Sequence, residues 1–194
     1  MAQIGLKHLV VAPITSKTDG AEPVYGTGMQ VGELMRADLT WNRGDVKLYG
    51  DDKLVARDNS ITSGTITIGT TYLDRAAKLK LFDMAAYNTP ASGETQEYAI
   101  GAEASPKVGC GYVWKDLEGD SNVYIGYWYF EVQFSMNESM NTRGESIEYG
   151  TPEIEGEIFA ALPKADLVAR FRKEADFETE AEAIAWVNAM AGIT

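Results

Sequence analysis

Residues 108–136, VGCGYVWKDLEGDSNVYIGYWYFEVQFSM, hold two long apolar-rich runs separated by Glu118-Gly119-Asp120-Ser121, the pattern of a central β-hairpin. In the second run Tyr124, Trp128, Phe130, Val132, Phe134 and Met136 share one parity. Val123, Ile125, Tyr127 and Tyr129 make the other parity apolar too, so the first half of this strand reads as buried on both faces. Glu131, Gln133 and Ser135 then give its end one wet face. In the first run Val108, Cys110, Tyr112 and Trp114 oppose Gly109, Gly111, Val113 and Lys115; the small residues leave room for something large to pack close.

Around this hairpin the chain reads as mostly strand. Residues 7–14 form a first strand ended by Pro13, and residues 15–28, rich in Gly and Pro, read as an extended, mobile arm or loop. Val31, Met35, Leu39 and Trp41 share a parity in a long strand that turns at Asn42-Arg43-Gly44-Asp45 into residues 46–49. This second hairpin continues into a charged extension with Asp51, Asp52, Lys53, Arg57 and Asp58. Ile66 and Ile68 alternate with Thr65 and Thr67, predicting one buried and one hydroxyl-lined face. Leu73, Ala76, Leu79 and Phe82 recur at helical spacing and predict a helix over residues 72–85. Residues 86–95 and 137–144 read as loops, and residues 153–162 as a strand. There Ile154, Gly156, Ile158, Ala160 and Leu162 face one way and Glu153, Glu155 and Glu157 the other. Thr179 with Glu182 makes a capping box, and Ile184, Val187 and Ala191 follow before Gly192, predicting a C-terminal helix.

The 194 residues suit one domain, and 45% hydrophobic with 24% charged residues is ordinary for a globular chain. The formal net charge of −12 is not, and it argues against gripping phosphates through clustered Lys and Arg. One cysteine, Cys110, permits no intramolecular disulfide and favours a reducing compartment. The expectation is a chain without signal peptide or membrane span.

Candidate chemistry is thin. His8 is the one imidazole and lies in a strand, which favours a structural role over a nucleophile pair or zinc site. Asp116, Glu118 and Asp120 alternate like calcium-loop ligands, but Ser121 stands where the turn needs Gly and Tyr127 where a bidentate Glu belongs. Gly26-Thr27-Gly28 lacks the third glycine of a dinucleotide site. Arg43-Gly44-Asp45 reads as turn chemistry, and Asn137-Glu138-Ser139 as a glycosylation pattern without meaning unless secreted. Glu148, Glu153, Glu155 and Glu157 could supply the paired carboxylates of a glycosidase, against the plainer reading of a solvated acidic face. Trp41, Trp114 and Trp128 could form the stacking platform of a carbohydrate-binding β-sandwich.

Several short motifs occur in an order and spacing of their own: Leu48-Tyr49-Gly50-Asp51-Asp52; Gly64 with Ile66-Thr67-Ile68; Pro106-Lys107-Val108-Gly109-Cys110-Gly111-Tyr112; Tyr127-Trp128-Tyr129 with Phe134; Thr151-Pro152-Glu153-Ile154-Glu155-Gly156; and Phe177-Glu178-Thr179 leading to Glu182-Ala183 and Trp186. Over about 140 residues they give the chain a resemblance to the major tail protein, the tail tube subunit, of long non-contractile-tailed bacteriophages. The resemblance implies a single domain, residues 1–194, mainly β: an antiparallel β-sandwich or half-barrel with a flanking helix and a C-terminal helix. It implies six copies in a ring, and rings stacked into a tube through which DNA is ejected without specific binding. The tube would hold a tape measure protein, meet terminator and tip proteins, and belong to a virion made in the host cytoplasm. Neither enzymatic activity, a cofactor nor a metal is implied, and no membrane. The expected gripping elements are an N-terminal arm, residues 1–30, and a long hairpin loop, residues 36–60, with Arg43, Asp45, Asp51, Asp52, Lys53 and Arg57 as inter-ring contacts. Glu153, Glu155 and Glu157 are the expected acidic lumen face.

Overall fold

The computed structural model describes residues 2–18, 21–51, 53–82, 84–88, 90–91, 95–101, 103–118, 121–135, 151–161 and 170–193. The central hairpin forms as its pattern predicts: β10 (Lys107–Glu118) and β11 (Ser121–Ser135) pair antiparallel from Lys107↔Gln133 to Glu118↔Ser121. Its turn residues Gly119 and Asp120, like Met136, residues 137–150 and Leu162, lie outside the described residues.

The strands before β10 are β1 (Ala2–Ser16), β2 (Val24–Tyr25), β3 (Met29–Gln30), β4 (Leu34–Arg43), β5 (Val46–Gly50), β6 (Lys53–Asp58), β7 (Ile61–Thr70), β8 (Met84–Ala86) and β9 (Tyr98–Ile100). After β11 come β12 (Glu153–Phe159) and β13 (Arg172–Phe177). An antiparallel nine-stranded sheet runs β2-β1-β10-β11-β12-β7-β4, with β3 also on β1 and β13 also on β11. β1, next to the short end strand β2, and the other end strand β4 approach each other without pairing, so the sheet curls as a half-barrel. The protein is therefore mostly antiparallel β with two helices.

Both faces of the sheet carry a core. Inside the curl Leu9, Val11, Ile66, Ile68, Val108, Cys110, Tyr129, Val132, Phe134, Ile154 and Ile158 are buried against α1 (Arg75–Leu81) through Ala77 and Leu81. Outside it, Val10, Val113, Trp128 and Phe130 are buried under α2 (Glu180–Met190) through Ala183, Val187 and Ala191. Burial pushes the Cys110 thiol up to about 12, so it is an inert buried hydrophobe. The indole of Trp128 fills the space left by the two glycines. A Cβ at Gly109 would come 2.5 Å from that ring, and one at Gly111 2.6 Å.

The even residues of β11 do not share a face. The pairing slips between Val108/Val132 and Cys110/Tyr129, a bulge that puts two residues of β11 against Gly109. Trp128 and Phe130 therefore face α2 while Val132 and Phe134 join Tyr127 and Tyr129 inside the curl. The bulge also places Glu131 in a buried position rather than on a wet face. A second slip, between Leu34 and Arg36, turns Leu34 inward and leaves Met35 exposed beside the half-buried Ala37, Leu39 and Trp41.

The largest correction concerns the second hairpin. β4 does not turn at Asn42-Arg43-Gly44-Asp45; it pairs with β7 up to Arg43↔Ile61, Gly44 N–H donates to the Ser60 carbonyl at 2.9 Å, and the ladder resumes as Val46↔Asp58. One long hairpin thus runs from Leu34 to Thr70. It reverses between Gly50 and Lys53, where Asp51 takes φ 49°, a left-handed conformation that Asp tolerates. Arg43-Gly44-Asp45 is a join within this ladder, since four polar residues need not break a strand whose edges still find partners.

The described residues among 1–30 are not an extended arm. β1 pairs β10 along most of its length, and the Gly-rich chain after it folds back: Gly26 N–H donates to the Pro13 carbonyl, Gly28 N–H to that of Ala191 and Val31 N–H to that of Leu9. Gly28 allows this approach, because a Cβ there would meet the Ala191 oxygen at 2.6 Å. The first helix is shorter than residues 72–85. Asp74 caps it by accepting from Ala77 N–H at 2.7 Å, which starts it three residues late, and extended backbone at Phe82 ends it. The C-terminal capping box is present: Glu182 N–H donates to Thr179 Oγ1, whose hydroxyl donates back to Glu182 Oε2. Gly192 closes that helix with φ +65°. β13, which the sequence pattern misses, alternates weakly yet pairs β11 from Tyr124↔Phe177 to Tyr129↔Arg172.

Candidate functional site

The outer third of the long hairpin, β5 and β6, belongs to no other sheet among the described residues. Cross-strand pairs place Lys47 opposite Arg57 and Leu48 opposite Ala56. One face is an ion cluster: Asp45 accepts from Lys47 Nζ at 3.0 Å and from Arg57 Nε at 2.8 Å. The Lys47 hydrogen bond, with Arg57 behind it, holds the Asp45 carboxyl below its ordinary range. The opposite face carries Val46, Leu48 and Ala56, with Asp58 paired to Val46. Val46 and Leu48 are 68% and 61% exposed; Tyr49, on the side of the ion cluster, and Val55, at the slip between Leu48 and Tyr49, are equally open. A two-stranded ribbon gains too little burial to be stable alone, so this face needs a cover. Of the expected contact residues, Arg43, Asp45, Asp51, Lys53 and Arg57 lie on this hairpin and are exposed, whereas Asp52 lies outside the described residues.

Glu153, Glu155 and Glu157 are exposed on one face of β12 while Ile154, Gly156 and Ile158 are buried, as the alternation predicts. Because β12 lies inside the sheet, its neighbours extend the surface. Glu155 pairs with Thr67 and Glu157 with Thr65 on β7; Asp38 and Thr40 of β4 and Ser135 and Gln133 of β11 continue the rows. The result is a carboxylate and hydroxyl surface four strands wide, with Arg36 at one corner bonded to Asp38 and 3.6 Å from Glu153.

Where this surface meets the α2-covered region lies Glu131. Its side chain is 1% exposed, and Lys17 and Lys107 close on its two oxygens. Burial alone would raise its pKa, but the hydrogen bonds and charges of the two lysines outweigh that and hold it below 4.5. Nothing in the alternation Glu131-Gln133-Ser135 marks this clamp, which is made by Lys17, just after β1, and Lys107 of β10.

Trp128 is fully buried, Trp41 packs edge-on to Phe171 with centroids 5.3 Å apart, and Trp114 Nε1 donates to Asp116 at 3.1 Å, so the three form no exposed stacking platform. Glu148 lies outside the described residues. His8 takes φ 58° at a slip of β1 and bonds through Nε2 to Asn188 Oδ1 of α2 at 2.7 Å, a structural tie. Among the described residues no group of His, Cys, Asp and Glu could hold a metal ion, and no helix is long and apolar enough to cross a membrane. No known family profile and no curated protein matches the chain.

Proposed function

We propose that this chain is a structural subunit of a phage tail tube, self-assembling into rings, six copies each by resemblance, that stack around a DNA path. The observation that carries the reading is the hairpin from Leu34 to Thr70, whose outer third presents an uncovered apolar face backed by an ion cluster. Such a face suits a contact with another copy better than it suits water. Two further features support it. Among the described residues β4 pairs only β7, and β13 only β11, so each offers an edge to a neighbour. The Glu153, Glu155 and Glu157 surface is acidic and hydroxyl-lined, and the Arg36 at its corner is engaged by Asp38 and Glu153, so the surface holds a phosphate backbone poorly; it is our candidate lumen wall. The implied tape measure, terminator and tip proteins belong to the same proposal, as does a place in the virion.

Negative-stain microscopy of the purified protein tests the reading: rings and tubes are expected, and a species of one small fixed size at every concentration would overturn it. Replacing Glu153, Glu155 and Glu157 together by Lys should leave tubes that assemble but release DNA slowly. The delay should shrink with added salt, because only charges within about 8 Å act at physiological ionic strength. Wild-type ejection rates at every salt concentration would remove this face from the DNA path.

A further inference from the structure

The exposed large apolar side chains are not scattered. Of the ten among the described residues, Val46, Leu48, Tyr49 and Val55 lie on the β5–β6 hairpin, while Tyr87, Tyr98 and Ile100 lie on or beside the β8–β9 hairpin; Val24, Met35 and Tyr72 fall elsewhere. β8–β9 is a second two-stranded ribbon outside the main sheet. Its pairs Met84↔Ile100 and Ala86↔Tyr98 put four apolar side chains on one face. Arg75 of α1 lies on that face, 4.6 Å from the Tyr98 ring and with Nη1 3.9 Å from Met84 Sδ. Ile100 remains 57% exposed.

We propose that the apolar face of β5–β6 in one copy packs face to face on β8–β9 of the next copy, a pairing that rests on the tail-tube reading and names the acceptor of its hairpin. Among the described residues β5–β6 has no second layer and β8–β9 has only Arg75 over its apolar face, and stacking the two supplies a layer to both at the usual spacing of about 10 Å. The charges also match. The chain carries −12, so copies repel one another except where cations are displayed. α1 carries Arg75, Lys78 and Lys80 and no acid, and the hairpin brings Asp58 on the packing face and Asp51 at its turn, the latter beside Lys53. Donor and acceptor are different surfaces of one chain, so the contact is head-to-tail and propagates instead of closing on a dimer.

The test uses two full-length variants, Leu48→Asp on the donor and Ile100→Asp on the acceptor, both at exposed positions. Matching thermal melts establish that both are folded, and Val46→Lys with Tyr98→Ser serve as a second pair. In sedimentation velocity each variant alone should stop at one fixed size. Mixed, they should form a species of twice that size and grow no further, because one intact donor meets one intact acceptor. If Leu48→Asp blocks growth while Ile100→Asp and Tyr98→Ser polymerise like wild type, the acceptor is elsewhere and the tube reading stands. If both variants block growth but the mixture gives no doubled species, the pairing is likewise overturned. A wild-type chain that forms no polymer overturns the tube reading and the pairing together.

Discussion

Replacing Trp128 by alanine should cost about 3–5 kcal/mol of stability, the range for emptying the site of a fully buried large aromatic side chain. Trp128 is 0% exposed and spans both strands of the central hairpin, lying over Gly109 and Gly111 of β10. Neither glycine has a side chain to collapse into the void. Tyr25 meets the indole edge-on at 5.1 Å and 85°, and its hydroxyl donates to the Phe130 carbonyl at 2.8 Å, so the returning segment behind β1 is pinned to the same ring. The loss should therefore appear twice: as a lowered urea midpoint, and as faster hydrogen exchange in residues 21–28 than in β11. The indole Nε1 is buried with no well-formed hydrogen bond among the described residues, so Trp128→Phe removes a poorly satisfied N–H along with the lost volume and should cost less than alanine. An alanine variant with an unchanged midpoint would show that Trp128 does not anchor the core.

How much of this was legible in the sequence depended on whether a strand kept its register. β7 and β12 hold alternation over their informative residues, and there the faces read off directly, down to the exposed Glu153, Glu155 and Glu157. The two small residues Gly109 and Gly111 announced a large neighbour, which is Trp128. Alternation cannot see a bulge, because one extra residue reverses every side chain beyond it. That is why Phe130 and Val132 were placed together, why Met35 was expected inside, and why Glu131 passed as a surface residue. The misplaced turn has a related cause. Asn42-Arg43-Gly44-Asp45 has turn composition, but a long hairpin that leaves the core needs no apolar alternation to remain paired. β13 escaped notice because it fills an edge with polar residues. The uncovered apolar faces of β5–β6 and β8–β9 were hidden for the opposite reason: apolar residues in strands suggest a core, and only the structure shows them exposed.

The clamp on Glu131 should reveal itself through the sign of a pH dependence. In the native chain its carboxyl lies below its ordinary value of 4.5, because Lys107 and Lys17 together outweigh the burial that would raise it. A depressed carboxyl contributes stability that is present above the unfolded pKa and lost as pH falls through the folded one, so this contribution should fade on acidification below about pH 4.5. Each unit of depression corresponds to about 1.4 kcal/mol. Removing both cations, Lys17→Ala with Lys107→Ala, leaves a buried carboxylate unpaired and should cost about 3–5 kcal/mol at neutral pH. Removing the acid should cost less, since the lysine side chains are 45% and 43% exposed and can return to water. The double variant also inverts the slope. Burial is then the dominant influence on Glu131, its folded pKa rises, and the penalty grows as pH increases through the unfolded value. Measured as differences from Glu131→Gln, which cancel the other carboxylates, wild type should gain stability as pH rises toward about 4.5, while the double variant loses it as pH rises beyond that value. Parallel curves for the two would mean that the lysines do not set the state of Glu131.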